Sequence, residues 1–162
     1  ELEARMAQIC RFLQESVAQT RLLARGLTPV PLNAEGLRDS LAEMVRRMGN
    51  GPVECDFICH SPVEIEDNNV ANHLFRIAQE AVNNAMKHSQ AKKVTVTLTH
   101  DAEGIVLKIA DDGHGFPETE PAQAGLGLQI MRHRANVIGA TLETRSSPGE
   151  GVQVTCILRT HE

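Results

Sequence analysis

Five segments of alternating apolar and polar character, Val53–Cys59, Lys92–Thr99, Gly104–Asp111, Ala140–Ser146 and Val152–Arg159, constrain this chain more than any other feature. Alternation with period two is the pattern of a strand that buries one face. Turn signals join the strands in pairs, "HDAEG" between the second and third and "SPGEG" between the last two. Helical patterns separate them. Ala34 to Met48 reads as one helix, ending at "GNG". Asp67 is placed to cap a long helix that runs to about Ser89 with Leu74, Ile77, Ala78, Ala81, Val82 and Ala85 as its apolar stripe. A shorter helix, about Leu128 to Ile138, closes at Gly139. Helices that each offer one apolar stripe, combined with consecutive hairpins, indicate an α+β fold: a two-layer sandwich with a sheet on one side and helices on the other.

At 162 residues and 41% apolar content the chain can bury one sizeable core, so one compact domain with an appendage is expected. No apolar run is long enough to cross a bilayer and no signal-peptide pattern opens the chain, which points to a soluble, cytoplasmic fragment. Sixteen Lys and Arg against 21 Asp and Glu give a net charge of −5, and there is no Trp or Tyr to stack on bases. Nucleic acid is therefore not an expected partner. Cys10, Cys55, Cys59 and Cys156 lack a disulfide-framework spacing, which fits a reducing compartment. Cys55, Cys59 and His60 resemble half a zinc site, but strand alternation turns both thiols inward and no second paired spacing supplies the remaining ligands.

The N-terminal stretch has its own period. Leu2, Met6, Ile9, Leu13, Ser16, Thr20, Leu23 and Leu27 follow at steps of four and three, a coiled-coil seam with two small polar members; an amphipathic helix packed on its own domain is the alternative. Gly26, Pro29 and Pro31 stop it. The chain opens at Glu1 inside this helical pattern, so it is expected to be part of something longer.

Polar residues on the long helix are also periodic. Glu80, Asn84 and His88 recur every four residues and rise along one face, with Lys87 beside them. By periodicity alone this row is equally a solvated helix surface. An acid, an amide, a lysine and a histidine in that order also make a plausible set for a base, a metal-ion ligand and phosphate contacts. Two glycine-bearing segments add to it. "DDGHGFP" puts Asp111 at the end of an apolar strand, and "GLGL", Gly125 to Leu128, opens a helix whose unpaired N–H groups suit a phosphate. Between them lies a polar loop with Pro117 and Pro121 that could close over a nucleotide. His60, His73, His100, His114, His133 and His161 show no ligand spacing and read as exposed or locally hydrogen-bonded; Arg132 and Arg134, just inside the last helix, read as surface charge, with an approach to phosphates or a partner domain as the alternative.

"LFRIAQEAVNNAMKHS", "DDGHGF" and "GLGLQIMRHRA", in that order and separation, resemble the Asn-containing box and the two glycine boxes of the ATP-binding domain of sensor histidine kinases. The wording is most similar to the subfamily that pairs with response regulators carrying a helix-turn-helix output domain. The match covers about Leu32 to Leu158. It implies the ATPase (Bergerat) fold shared by histidine kinases, gyrase and Hsp90, over residues 29–162. Residues 1–28 then resemble the second helix of the dimerisation and phosphoacceptor hairpin, and a homodimer is implied for the parent protein, weak in this fragment.

The resemblance also implies roles. Asn84 would ligate the Mg²⁺ that bridges the ATP phosphates, and Glu80 would act near the γ-phosphate as a base or water-orienting carboxylate. Lys87 and His88 would lie by the phosphates. Asp111 would accept from the adenine amino group, with Gly113 and Gly115 making room for the base, and Gly125, Leu126, Gly127 and Leu128 would bring backbone to the phosphates. Two departures stand out. Val152 occupies a position where the family often has Thr, so one hydroxyl contact near the base is missing. All seven histidines lie at or after residue 60, so no phosphoacceptor is present in residues 1–27 and none of the family's self-phosphorylation is expected. An ATP-driven conformational clamp and a non-transferring ATP-binding module of the same fold remain the alternatives to a kinase module.

Overall fold

The computed structural model describes residues 36–60, 63, 65–101, 104–116 and 125–159, all within the compact unit Leu32–Glu162. The seam over Leu2–Leu27, the bundle helix assigned to 1–28 and the loop with Pro117 and Pro121 lie outside the described residues.

Among the described residues, three helices and five strands form in the order α1 (Gly36–Met48), β1 (Glu54–Ile58), α2 (Asn68–His88), β2 (Lys93–Asp101), β3 (Gly104–Asp111), α3 (Leu126–Val137), β4 (Thr141–Ser146) and β5 (Val152–Arg159). The strands make one sheet in the order β1-β2-β3-β5-β4. β1 runs parallel to β2, and all other pairs are antiparallel. The chain leaves β3, forms α3 and returns to the far edge as β4, so β5 closes the gap beside β3. This crossover sets the start of α3 beside the end of β3.

Period-two burial fixes which face the helices cover. Val94, Val96 and Leu98 of β2, Ile105, Leu107 and Ile109 of β3, and Val154 and Cys156 of β5 are buried, whereas Thr95, Thr97, Thr99, Lys108 and Thr155 between them are half-exposed. Register joins the inward residues into rows, Val96 to Ile109 to Val154 and Leu98 to Leu107 to Cys156. Against them α2 lays Leu74, Ile77, Ala78, Ala81, Val82 and Ala85, and α1 adds Leu37, Leu41, Met44 and Val45. Leu74 and Leu107 are fully buried, so truncating either to Ala costs about 2–5 kcal/mol. Burial pushes the Cys156 thiol up to about 12, which removes it from redox chemistry at neutral pH.

Local signals explain the boundaries of α2. The Asp67 side chain accepts from the Asn69 N–H at 2.7 Å, as an N-cap should. At the other end the Ser89 N–H reaches the Ala85 carbonyl at 3.1 Å, and Gln90 takes a φ of 53° to leave the helix. Two expected boundaries differ. β1 is shorter than Val53–Cys59, and its edge position is marked by exposed pairs from Lys93 to Asp56, 2.6 Å, and Glu54, 3.2 Å, which add little stability. α3 begins at Leu126, not Leu128, because Gly125 with φ −49° and ψ 157° serves as the N-cap. Gly127 therefore sits inside the first turn. Among the described residues no helix is long and apolar enough to cross a membrane.

Candidate nucleotide-binding site

The strand parity that builds the core also places Asp111. It follows Leu107 and Ile109 at steps of two on the covered face and pairs with Val94, so β3 ends in a carboxylate on its inward side. There it borders a cavity of about 390 Å³. The floor is apolar, made by Ile109, Met131 and Val154 with Ala81 and Ala85 of α2. Polar groups stand around it: Asn84, His88 and Ser89 along α2, Asp111 and His114 after β3, and Gly125 to Leu128 at the start of α3.

The turn after β3 is held by the chain itself. Asp111 Oδ1 accepts from the Gly113 N–H at 2.9 Å, and its other carboxylate oxygen has no partner among the described residues. Asp112 turns the opposite way and accepts from the N–H groups of Lys92 and Lys93, both at 2.8 Å. The Lys93 N–H foremost, then that of Lys92, holds the Asp112 carboxyl below the usual carboxylate range, against some desolvation. The His114 N–H reaches the Ser89 carbonyl at 2.9 Å, and the His114 ring Nδ1 meets the same oxygen. The His114 carbonyl in turn accepts from Gly149 at 2.8 Å. Ser89 is the buried hub, its hydroxyl donating to Ala85 at 2.6 Å and accepting from the Ala91 N–H at 3.1 Å.

Four glycines answer to close approach. A Cβ on Gly113 would strike the Ser89 carbonyl and hydroxyl, so the room at Gly113 is taken up by the end of α2; Gly113 does not border the cavity. Gly115, at φ +71°, borders it and at the same time clears the Ser147 carbonyl. Gly151, at φ +78°, clears the Asp111 carbonyl. On α3, a Cβ on Gly127 would lie 2.6 Å from Glu80 Oε1 and 3.0 Å from Asn84 Nδ2. The glycine is what lets the first turn of α3 rest on the polar row of α2.

Of the residues singled out in the sequence, Asn84, His88, Asp111, Gly115, Gly125, Leu126, Gly127 and Leu128 border the one cavity. Glu80 stands behind Gly127, and Lys87 is exposed at the outer side of α2. Ser89, His114 and Gly151 escaped sequence reasoning because their partners are 25 to 40 residues away. Val152 borders the cavity as well, and with no hydroxyl it leaves that stretch of wall apolar.

Hard cations such as Mg²⁺ take oxygen ligands and keep few from the protein when phosphates supply the rest. Asn84 offers one amide oxygen at the cavity wall, and among the described residues no three His, Cys, Asp or Glu side chains gather into a metal site. The donor set suits a cation that arrives with a phosphate ligand.

Residues 69–162 match the family model described as histidine kinase-, DNA gyrase B- and HSP90-like ATPase. The sensor protein VraS of Staphylococcus saprophyticus is 32% identical over 157 residues, covering 94% of this chain and 44% of VraS. The sensor histidine kinase LiaS of Bacillus subtilis is 33% identical over 158 residues, 93% of this chain and 41% of LiaS. The chain thus spans less than half the length of these curated relatives. Among solved structures, the ATP-binding domain of PrrB from Mycobacterium tuberculosis superposes with a TM-score of 0.62 at 23% identity, covering 78% of this chain and 96% of that one; at that identity the likeness speaks for the fold. With the three sequence boxes gathered on one cavity and the family model spanning more than half of its length, the chain belongs to the histidine kinase-, DNA gyrase B- and HSP90-like ATPase family.

Proposed function

We propose that this chain is the catalytic module of a two-component sensor histidine kinase, which binds Mg-ATP in the cavity beside α2 and donates its γ-phosphoryl group to a histidine on a partner helix. Relay to an aspartate of a response regulator of the helix-turn-helix output type would follow, from a dimeric parent protein. The observation that carries it is the spread of the cavity along α2. Gly113, two residues past Asp111, meets the end of the helix at Ser89, while Gly127 meets it at Glu80 and Asn84. At 1.5 Å per residue those levels lie roughly 8–13 Å apart, a span that suits a base at one end and phosphates at the other.

Each group then has work of a definite kind. The unpartnered oxygen of Asp111 accepts from the amino group of adenine while the apolar floor of Ile109, Met131 and Val154 takes the ring. The first turn of α3, capped by no side chain, presents N–H groups to phosphate oxygens. Asn84 would hold Mg²⁺, which neutralises charge on the phosphoryl oxygens. Glu80, one turn earlier on α2, orients or accepts the proton of the attacking group. His88 and Lys87 add positive charge or donors at the open side. The names of the relatives, a sensor protein and a sensor histidine kinase, support the kinase over a clamp or a passive ATP holder.

The test is transfer between chains. The fragment is mixed with labelled ATP, Mg²⁺ and a longer form of the protein that includes the upstream phosphoacceptor helix but carries Asn84→Ala. Label on the longer chain is the expected result. Nucleotide binding by the fragment without any label transferred would leave an ATP-binding module and refute the kinase.

A further inference from the structure

His114 is exposed and borders the cavity, yet the fold grips it at three points. Its N–H donates to the Ser89 carbonyl at 2.9 Å, and its own carbonyl accepts from the Gly149 N–H at 2.8 Å. The ring Nδ1 meets the Ser89 carbonyl as well. Backbone bonds on both sides already hold the turn, so what the ring contact adds is a fixed imidazole. A carbonyl oxygen can only accept, which places the proton of the neutral ring on Nδ1 and leaves Nε2 with a lone pair. Nε2 has no hydrogen-bond partner among the described residues. A free histidine exchanges tautomers to suit a donor or an acceptor, but His114 would lose its bond to Ser89 by doing so. Three residues earlier, Asp111 engages Gly113 through Oδ1 and leaves its second oxygen unpaired at the same cavity. One short turn thus carries two side-chain acceptors that the protein itself does not use.

We propose that His114 is a specificity-determining residue for the base, its Nε2 accepting one hydrogen of the exocyclic amino group whose other hydrogen goes to Asp111. An amino group has two hydrogens to give, and two acceptors match it. A base with a carbonyl in that place, such as hypoxanthine, brings a lone pair against both and leaves polar groups unpaired, which is how a polar site rejects a wrong ligand. The Ser89 anchor keeps the rejection in force, because Nε2 of the neutral ring cannot take up the proton it would need to donate. With the ring fixed before the nucleotide arrives, little rotamer freedom is lost on binding. The inference rests on the adenine nucleotide proposed above and adds a second group that reads it.

The natural chain, His114→Asn and His114→Phe are titrated with the Mg²⁺ complexes of ATP, 2′-deoxy-ATP and inosine triphosphate, alongside thermal melting. Asparagine carries its NH₂ group where imidazole carries Nδ1, so the Ser89 bond is kept and Nε2 alone is lost; phenylalanine loses both. His114→Asn weakens ATP and 2′-deoxy-ATP about fivefold, as the loss of one neutral hydrogen bond should, and weakens inosine triphosphate less than about twofold. A loosened turn is felt alike by all three nucleotides, so the ratio of Kd values decides even where a variant melts early. Should His114→Asn not fold, the same ratio is read from His114→Phe. Equal factors for ATP and inosine triphosphate, or no loss for either, overturn the proposal; a loss for ATP that 2′-deoxy-ATP escapes overturns it by assigning the ring to the sugar. If the natural chain binds no ATP, the proposed function falls and this inference with it, whereas ATP binding with a His114 effect shared by inosine triphosphate sinks only the inference.

Discussion

Gly127 on α3 and Glu80 on α2 approach so closely that a Cβ on the glycine would lie 2.6 Å from the carboxylate oxygen Oε1. The helix therefore carries a glycine where its own stability would favour another residue, since Ala exceeds Gly in a helix interior by about 1 kcal/mol. Gly127→Ala should leave the melting temperature unchanged or higher while Mg-ATP affinity falls about tenfold, ~1.4 kcal/mol, as Glu80 and Asn84 are pushed from place. Calorimetric titration and a thermal melt on the same sample check both halves. A matching loss of stability would mean that the glycine serves packing alone.

Asn84 should reveal itself through the metal. Its amide borders the cavity, and if it ligates Mg²⁺ then Asn84→Ala weakens binding of Mg-ATP much more than binding of ATP measured in chelator. The two affinities are read by titration with and without Mg²⁺. Equal losses in both conditions would count against a ligand role and for a direct contact with the nucleotide.

The sequence disclosed what depends on neighbours along the chain. Asp67 caps α2 as its type and place foretold, and the strand parity of Ile105, Leu107 and Ile109 carried Asp111 to the inward face. What it hid depends on contacts across the fold. The sequence pattern starts α3 at about Leu128, whereas the structure keeps Gly127 helical and lets α3 lie on Glu80. Gly113 shows the same limit: a Cβ there would meet Ser89, 24 residues earlier, a contact that its local motif does not announce. Ser89 and His114 form a knot that no local pattern announces, and Arg134 reads as a solvated charge until α2 is packed against it.

His73 gives the fold a pH dependence with a definite sign. Burial first, then the charges of Arg134 and His133, lowers its pKa from the ordinary 6.5. The unfolded chain takes up the proton before the folded one does, so stability present above pH 6.5 is lost as pH falls from there toward the folded value. His73→Gln removes this contribution. Urea unfolding from pH 7.5 to about 5 should show a steeper loss in the natural chain than in the variant. Parallel profiles would place His73 in free exchange with solvent.

Asp111 allows the sharpest test because its two oxygens have different tasks. Oδ1 is engaged by the Gly113 N–H at 2.9 Å, and the other oxygen stands without a partner among the described residues at the cavity. In Asp111→Asn the amide oxygen must stay on Gly113, since an NH₂ group there would face another donor. The NH₂ group is thus forced toward the ligand, where it confronts the amino group of adenine. ATP affinity should fall by about 1–3 kcal/mol, the cost of a mismatched buried polar pair. Inosine triphosphate, which carries a carbonyl in place of that amino group, should lose less, because the new donor meets an acceptor. The ratio of the two affinities by titration is the measurement, and it cancels any loosening of the turn that both nucleotides would feel. If the ratio is the same in the natural chain and in the Asp111→Asn variant, the carboxylate does not read the base and the apolar floor alone must hold it.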